Sequence, residues 1–405
     1  MKNKYIILLL LISLVLVGGS CSKGKEEAED KGYVPFQGKQ KENKLTDNEN
    51  RDDNPKVSGD GETIVYFTDT NDDFHVDSLV VAGPKGVRKT IKLIGAYDFL
   101  PEKSGLIIDS LDISRDGSTA AFVAVPFVEN WWSVNPMFSY PFTLDLNSET
   151  LAKIDPQELP ERVYPEEYDA ERADAARVAL SDDGSMLAFT VEVWGVDFGE
   201  IHDVIDDNMV LIAPSDGSQE PKVLAKGVST YHVDMDSQGR VFYVKTDNED
   251  YNKFELSVIN SDGSANKELG INLSFAGNWG LVVSSNGRVA SLDRDRDVAF
   301  VCDTNGTVIA ETDSFYGSMA ITGDGSKVLA YQTSTYVEKE ERGLIYFNVD
   351  DNFSVDQIMS LEALSEKDWW VNGTHLSTND SGGVIGIEFN DTKYGDREIG
   401  GIYWE

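Results

Sequence analysis

The sequence predicts an all-β fold, a single β-propeller of seven four-stranded blades, with six or eight blades as the alternatives. A glycine-cornered turn motif recurs seven times along the chain, and its copies lie roughly 50 residues apart, the length of one propeller blade. The composition agrees, because 35 glycines and few stretches of helical periodicity favour short strands joined by tight turns.

Each copy of the motif has alternating apolar residues, a short polar turn that ends in Gly, and a second apolar run. The first copy is residues 55–61, followed by the apolar run 63–67. An Asp-Gly or Asn-Gly pair between two such runs indicates a β-hairpin, because Gly tolerates positive φ and the Asx side chain bonds nearby amides. The seven turn glycines are Gly61, Gly117, Gly184, Gly239, Gly287, Gly325 and Gly382.

Third and fourth strands are predicted downstream of most copies. Residues 208–213 form an apolar run before Asp216-Gly217, and residues 222–224 supply the next one. Residues 254–260 and 298–302 repeat the pattern in the two following copies. Four strands in a unit are the blade of a propeller, so residues 54–405 are predicted to form the propeller.

A pair of β-sandwiches or a β-helix is the alternative architecture, since both use short strands and glycine turns. Neither is expected to place the same turn at the first hairpin of every unit. The last apolar stretch, residues 399–404, corresponds to the third strand of the last copy. Closing the ring therefore requires an outermost strand from the amino-terminal side, for which residues 33–36 are the candidate.

The repeated turn resembles the Ser-Pro-Asp-Gly signature of the TolB-like, WD-related propeller repeats. The resemblance covers the body of the chain, although the proline is replaced in every copy. It implies the propeller fold and no particular activity, because one fold hosts many functions.

The amino terminus predicts export and a lipid anchor. Lys2 and Lys4 precede an apolar run, residues 5–17, that is too short to span a bilayer and is typical of a signal peptide over residues 1–20. Cys21 follows small residues and resembles the lipobox cysteine of bacterial lipoproteins, although Gly18 stands where a branched aliphatic residue is usual. A conventional signal peptide with an incidental cysteine is the alternative. Residues 21–53 are polar and acidic and are predicted to be a disordered tether, which places the protein in the bacterial cell envelope, outside the cytoplasm.

The charge balance excludes one class of partner. The chain has 35 Lys and Arg against 71 Asp and Glu, a net charge of −36. Such a chain repels phosphate backbones, so nucleic acid is not expected as a partner. Contact with the membrane is expected through acyl chains only, since basic residues are too few to hold the body against acidic lipid.

Aromatic residues predict a ligand-binding face on the side where the innermost strands begin. Two long loops, residues 126–140 and 194–207, are expected on that side, together with the segments that enter each blade. Tryptophan and tyrosine are usual interface anchors, although propeller tryptophans also pack between blades. The residues expected there are Trp131, Trp132, Trp194, Tyr231, Trp279, Tyr316, Trp369 and Trp370.

No catalytic set is recognised, so the favoured function is a non-catalytic module that binds an envelope protein, a peptide or a glycan, or that serves as a scaffold in an envelope complex. The four histidines lie in different units without metal-ligand spacing, and residues 165–177 are predicted to be a short helix. The alternative is a hydrolase or lyase that uses acidic residues of the central channel, with Asp98, Asp109 and Asp234 as candidates. No cofactor is expected apart from a weak calcium candidate at Asp69, Asn71 and Asp73, whose spacing lacks the glycine and glutamate of a calcium loop.

Overall fold

Seven antiparallel sheets make up the structure of the protein, a computed structural model. It describes residues 40–46 and 51–404, except for the segments 71–75, 103, 126–138, 156–170, 198–199, 204–207, 248–249, 275–280, 294–297, 313–317, 333–342, 352–353, 368 and 392–396.

Each sheet is a blade built on four strands. In blades 1 to 6 these strands pair in the order in which they occur in the chain, whereas the fourth strand of blade 7 comes from the amino-terminal side of the chain. Blade 1 contains β2 (Asp52–Val57), β3 (Ile64–Thr68), β4 (Ser78–Gly83) and β5 (Gly86–Lys92), and blade 2 contains β6 (Gly105–Ile113), β7 (Thr119–Val125), β8 (Tyr140–Asp145) and β9 (Leu151–Lys153). Blade 3 contains β10 (Glu171–Leu180), β11 (Met186–Asp197), β13 (Met209–Pro214) and β14 (Lys222–Lys226), with β12 (Glu200–Asp203) added beside β11. Blade 4 contains β15 (Val228–Met235), β16 (Arg240–Asp247), β17 (Asp250–Asn260) and β18 (Lys267–Ser274). Blade 5 contains β19 (Leu281–Val283), β20 (Val289–Asp293), β21 (Val298–Cys302) and β22 (Val308–Thr312). Blade 6 contains β23 (Met319–Ile321), β24 (Lys327–Gln332), β25 (Gly343–Asn348) and β26 (Ser354–Ser360). Blade 7 contains β27 (Trp369–Thr378), β28 (Val384–Asp391) and β29 (Arg397–Trp404), together with β1 (Gln40–Lys44).

The sheets form a ring, because the first strand of each blade contacts the first strand of the next and β27 contacts β2. The prediction of a seven-bladed β-propeller is therefore confirmed. The apolar faces of neighbouring sheets pack together, as where Phe67 of blade 1 meets Phe122 of blade 2 at a ring-centroid distance of 6.0 Å. We call the face where the inner strands begin the entry face, and the opposite face, which carries the first hairpin turns, the turn face.

The ring is closed by a strand from the amino-terminal side, as predicted, but that strand is β1 (Gln40–Lys44). It pairs antiparallel with β29, from Gln40 opposite Trp404 to Lys44 opposite Gly400. Residues 33–36, the expected closing strand, lie outside the described residues. The strand β1 belongs to the range predicted as a tether: its side chains are only half-buried, so its polar sequence suits an edge strand whose backbone pairs with β29.

The repeated turns are built as the motif predicts. In blade 1, Ser58 Oγ donates to Asp60 Oδ1 at 2.6 Å and accepts from the Thr63 amide at 3.0 Å. Gly61 has a φ of 75°, the left-handed region that favours glycine. Because these bonds are local, the turn can be recognised in each copy without knowledge of its neighbours.

The missing prolines have a structural reason. In four copies the residue two positions before the turn glycine donates its amide to the equivalent residue of the next blade. Gly59 donates to the carbonyl of Arg115 at 2.8 Å, and Arg115 donates to that of Asp182 at 3.0 Å. Ser237 and Ser285 form the same bond at 3.1 Å, and Asp380 and Gly59 form it at 3.0 Å across the ring closure. Proline has no amide hydrogen, so it could not make these bonds.

The helix predicted over residues 165–177 is wrong where the structure describes it. Residues 171–180 form the inner strand β10, paired with β11 from Glu171 opposite Gly195 to Leu180 opposite Leu187. The pattern of charges that favoured a helix dipole is outweighed by ladder bonds and by the burial of Ala175, Val178 and Leu180. The described residues contain one α-helix, α1 (Leu361–Glu366), which Ser360 caps. No described helix has the length and apolar character needed to cross a bilayer.

Candidate functional site: the entry-side cavity of the central channel

The inner strands surround a cavity of about 280 Å³, to which all seven blades contribute residues. Many of the residues that line the cavity lie at a fixed distance before the turn glycine of their copy of the motif. The residue seven positions before the glycine lies in the cavity wall in six blades. These six residues are all polar, and we call them the mouth ring: Asn54, Ser110, Arg177, His232, Ser318 and His375.

A second level of the wall lies two residues further along each strand, towards the turn face. A strand advances about 3.3 Å per residue and sends alternate side chains to the same side, so this level repeats the same orientation. We call these seven positions the inner ring. Five of them line the cavity, namely Lys56, Asp112, Ala179, Asp234 and Val282, and the equivalent positions of blades 6 and 7 are Ala320 and Ser377. The intervening residues Leu111, Val178 and Leu376 are buried in the cores between blades.

Irregular pairing near the entry face shapes the mouth ring. The register shifts between Ile107 and Leu111 in β6 and between Val371 and Leu376 in β27. A third shift precedes Val233 in β15. Ser110, His375 and His232 lie in these bulged segments, and bulges commonly re-aim side chains at functional sites.

Tyr231 is the exposed aromatic residue of this cavity. It precedes His232 in β15, lines the cavity, and is 49% exposed. A half-exposed phenol beside a polar ring offers a flat apolar surface and a hydroxyl to a ligand.

His375 is oriented by a buried acidic partner. Its Nδ1 lies 2.7 Å from Oε2 of Glu388 on the neighbouring strand β28. The same oxygen accepts from the amide of Asn54 at 3.2 Å, and Arg397 lies 3.5 Å from Oε1. Although burial acts to raise the pKa of Glu388, the bond to His375 and the charges of His375 and Arg397 outweigh it and lower the pKa. The geometry therefore holds an imidazole against an ionised carboxylate at the channel wall.

Two carboxyl groups of the inner ring have raised pKa values. Burial, followed by the charge of Asp112, raises the pKa of Asp234 to about 7. Burial also raises the pKa of Asp112, while Lys56 and the amide of Leu180 act against it. Both groups therefore take up protons more readily than an exposed aspartate.

A charged clamp joins three blades at the turn face. Arg115 Nε donates to Asp380 Oδ2 at 2.5 Å, and its Nη1 donates to Asp182 Oδ2 at 2.9 Å. The Arg115 side chain crosses Gly59, where an added Cβ would come within 2.1 Å of Arg115 Cγ. The clamp ties blades 2, 3 and 7 together and lies away from the mouth ring.

Tyr231 is the predicted aromatic residue with a described side chain, and the structure places it in this cavity. Trp194 lies in β11, and Trp369 and Trp370 lie at the start of β27 on the entry side. The structure describes the backbone of these three residues but not their side chains. Trp131, Trp132, Trp279 and Tyr316 lie outside the described residues, as does Cys21.

The three acidic candidates have different positions. Asp234 lines the cavity. Asp98 is exposed in a turn between β5 and β6, and Asp109 lies in β6 without a described side chain. Lys56, Arg177, His232 and His375 were not predicted as site residues, although they lie five or seven residues before the turn glycines of their copies.

The weak calcium candidate gains no support from the described residues. Asp69 is buried, and its amide donates to the carbonyl of Arg51 at 3.0 Å. Asn71 and Asp73 lie outside the described residues. Within the described part of the chain, no three His, Cys, Asp or Glu side chains are grouped as a metal site requires.

No family model matches the chain, and no curated protein sequence matches it. Solved structures do match it. A structure of oligogalacturonate lyase in complex with manganese aligns with a TM-score of 0.56 at 11% identity, over 92% of this chain and 98% of that one. The oligogalacturonate lyase of Vibrio parahaemolyticus aligns with a TM-score of 0.55 at 12% identity, over 92% and 95%.

Propeller domains of peptidases are similar as well. The β-propeller domain of the trilobed protease from Pyrococcus furiosus aligns with a TM-score of 0.50 at 12% identity, over 86% of this chain and 94% of that one. At such low identity these likenesses establish the shared propeller fold, while function depends on the residues of the site.

Proposed function

We propose that the protein is an extracytoplasmic propeller, lipid-anchored through Cys21 in the bacterial cell envelope, that binds a peptide, protein segment or glycan without transforming it. The observation that carries the proposal is the entry-side cavity, where Tyr231 stands exposed beside polar residues from six blades. Ligand sites combine an apolar contact surface with a few convergent polar groups, and this cavity has both.

The described chain enters the propeller at the turn face. Gln40, where the described chain begins, pairs with Trp404 at the turn-face end of β29. The chain therefore joins the propeller on the face opposite the mouth ring.

The test is a binding screen of the mature protein against glycan and peptide libraries, repeated with Tyr231→Ala. Phe99→Ala is the matched control, because Phe99 is 50% exposed and does not line the cavity. We expect Tyr231→Ala to lose the selected ligand and Phe99→Ala to keep it. Equal binding by both variants would contradict the location of the site.

A second candidate is an enzyme, favoured by the pairing of Glu388 with His375. A carboxylate that orients an imidazole is a common arrangement for general acid–base catalysis, and the similar structures include proteins named as lyases and proteases. Product analysis of each selected ligand after long incubation separates the two proposals. Turnover that is lost in His375→Gln would favour the enzyme, and recovery of intact ligand would favour the binding module.

A further inference from the structure

We propose that the cavity recognises an oxyanion of its ligand through Lys56 and Arg177, and that Asp112 and Asp234 join neighbouring blades. This inference rests on the proposed function and adds the chemical class of the ligand. An oxyanion here means a carboxylate, sulfate or phosphate group.

The two aspartates of the inner ring each bond to the blade that follows. Asp112 Oδ2 accepts from the amide of Leu180 in the next blade at 2.8 Å, and Asp234 Oδ2 accepts from Val283 in the next blade at 2.7 Å. These amides belong to equivalent positions of their inner strands, four residues before the turn glycine. The aspartates therefore act as latches between blades.

Ser377 shows that this role does not require a charge. It occupies the same inner-ring position in blade 7, and its Oγ accepts from the amide of Val57 in blade 1 at 2.9 Å. An uncharged hydroxyl thus makes the bond that the carboxylates make elsewhere. Asp234 has both oxygens engaged, because Oδ1 accepts from its neighbour Met235 at 2.8 Å. Each oxygen of Asp234 therefore already accepts one bond within the fold.

Two basic side chains lie in the cavity wall. Lys56 lies in the cavity wall, is half-buried, and has no hydrogen-bond or ion-pair partner among the described residues. Arg177 lies in the mouth ring two blades away. The same wall carries the carboxylates of Asp112 and Asp234, so its charged side chains are two basic and two acidic, in a chain with twice as many acidic as basic residues.

A ligand that enters the cavity meets the polar side chains of the mouth ring first. Its six described members include an arginine, two histidines and no carboxylate. Ser110 Oγ is buried in this wall and has no partner within the described structure. A hydroxyl can donate to an anion, so the ring offers donors where an anionic group would arrive.

A cationic ligand is the competing class. It would bind the two aspartates, but the ammonium group of Lys56 is already close enough to act on the pKa values of both. An added cation would meet this charge, whereas an oxyanion would be attracted by it. The observations therefore favour the oxyanion.

The test compares matched charged and neutral probes by isothermal titration calorimetry with the mature protein. One pair is a uronic-acid trisaccharide and the neutral trisaccharide of the same linkage. A second pair is a glutamate-containing peptide and its glutamine version, and inorganic sulfate and phosphate are tested alone. We expect at least one charged probe to bind more tightly than its neutral match, with affinity that falls as salt rises.

Variants separate the roles of the side chains. Lys56→Met should weaken binding of that charged probe roughly tenfold or more, the effect of losing a charge-assisted hydrogen bond. Lys56→Arg should keep binding, as should Lys85→Met, which removes the same charge from an exposed turn on the other face. Asp234→Asn should bind the charged probe at least as tightly as the wild type, because it removes a negative charge from the cavity wall. Its amide oxygen can still accept from Val283, although its amide nitrogen cannot accept from Met235. Thermal unfolding of each variant checks that it is folded.

Three results would overturn the inference. Neutral probes could bind as tightly as charged ones, Lys56→Met could bind normally while folded, or Asp234→Asn could lose binding while Lys56→Met keeps it. Each of these would leave the proposed binding function standing. A wild-type protein that binds no ligand in the library screen would instead contradict the proposed function itself.

Discussion

Glu388 and His375 face each other on adjacent strands of the last blade, with 2.7 Å between Oε2 and Nδ1. The carboxylate is buried, whereas the imidazole reaches the channel. Because Glu388 also accepts from the amide of Asn54 in blade 1, this pair joins the two blades that meet where the ring closes. The same contact therefore orients a residue of the candidate site and contributes to the fold.

Glu388→Gln is expected to lower the free energy of unfolding at pH 7 by about 1–3 kcal/mol, the cost of weakening buried hydrogen bonds to a charged group. The lowered pKa of Glu388 sets the sign of the pH dependence. The stabilisation is present above the ordinary pKa of glutamate and is lost as the pH falls through the folded-state value. Urea unfolding at several pH values measures it.

Glu149→Gln is the control for this substitution. Glu149 is half-exposed and pairs with Lys89 at 2.9 Å on the surface, where an ion pair contributes little. Its free energy of unfolding should stay within about 0.5 kcal/mol of the wild type. A Glu388→Gln variant as stable as this control would show that the buried pair has no role in stability.

Asp52→Asn is expected to stabilise the protein at neutral and alkaline pH. Burial raises the pKa of Asp52 to about 7, and nearby Glu398 acts in the same direction. Between the unfolded and folded pKa values the folded state holds a proton that the unfolded state has lost. Wild-type stability therefore falls as pH rises from about 4 to about 7.

The measurement is the difference in unfolding free energy between Asp52→Asn and the wild type from pH 4 to pH 8. It should grow in favour of the variant up to about pH 7 and then level off, reaching at most roughly 4 kcal/mol. A constant difference across this range would mean that Asp52 does not titrate as described.

The closing strand can be tested by truncation. A chain that starts at Gln40 keeps β1, whereas a chain that starts after Thr46 loses β1 and the bonds of Leu45 and Thr46 to Ile399. The shorter chain should unfold at a temperature lower by roughly 5 °C or more, because β29 becomes an unpaired edge. Equal unfolding temperatures would show that β1 does not close the ring.

Ser237→Pro tests the bonds between turns. Proline suits the second position of such a turn and would be expected to stabilise it through chain rigidity. Here it removes the amide that donates to Ser285 at 3.1 Å. We expect Ser237→Pro to be less stable than Ser237→Ala by about 1 kcal/mol in urea unfolding. A proline variant that matches or exceeds the alanine variant would refute this reason for the missing prolines.

The fold could be predicted because its signals are local. The bond between Ser58 and Asp60 and the positive φ of Gly61 lie within one turn, and they recur in sequence. The role of Arg115 could not be predicted, because its partner Asp380 is 265 residues away and only ring closure brings them together.

The candidate site was predictable in part. Tyr231 was identified as an aromatic residue at a blade entry. His232 and His375 both lie seven residues before a turn glycine, but the bulged pairing that accompanies this position in the cavity wall is not shown by the sequence pattern. The helix prediction failed because charge spacing in residues 171–177 is compatible with a strand whose apolar side chains are buried between blades.

The most direct test of the account is hydrogen–deuterium exchange of the mature protein with and without the ligand selected in the library screen. We predict slower exchange on ligand binding in β6, β15 and β27, at the bulged segments that carry Ser110, His232 and His375. The turns at Gly61 and Gly239 on the opposite face should be unchanged. Protection confined to the turn face or to the outer strands would contradict the assignment of the entry-side cavity as the binding site.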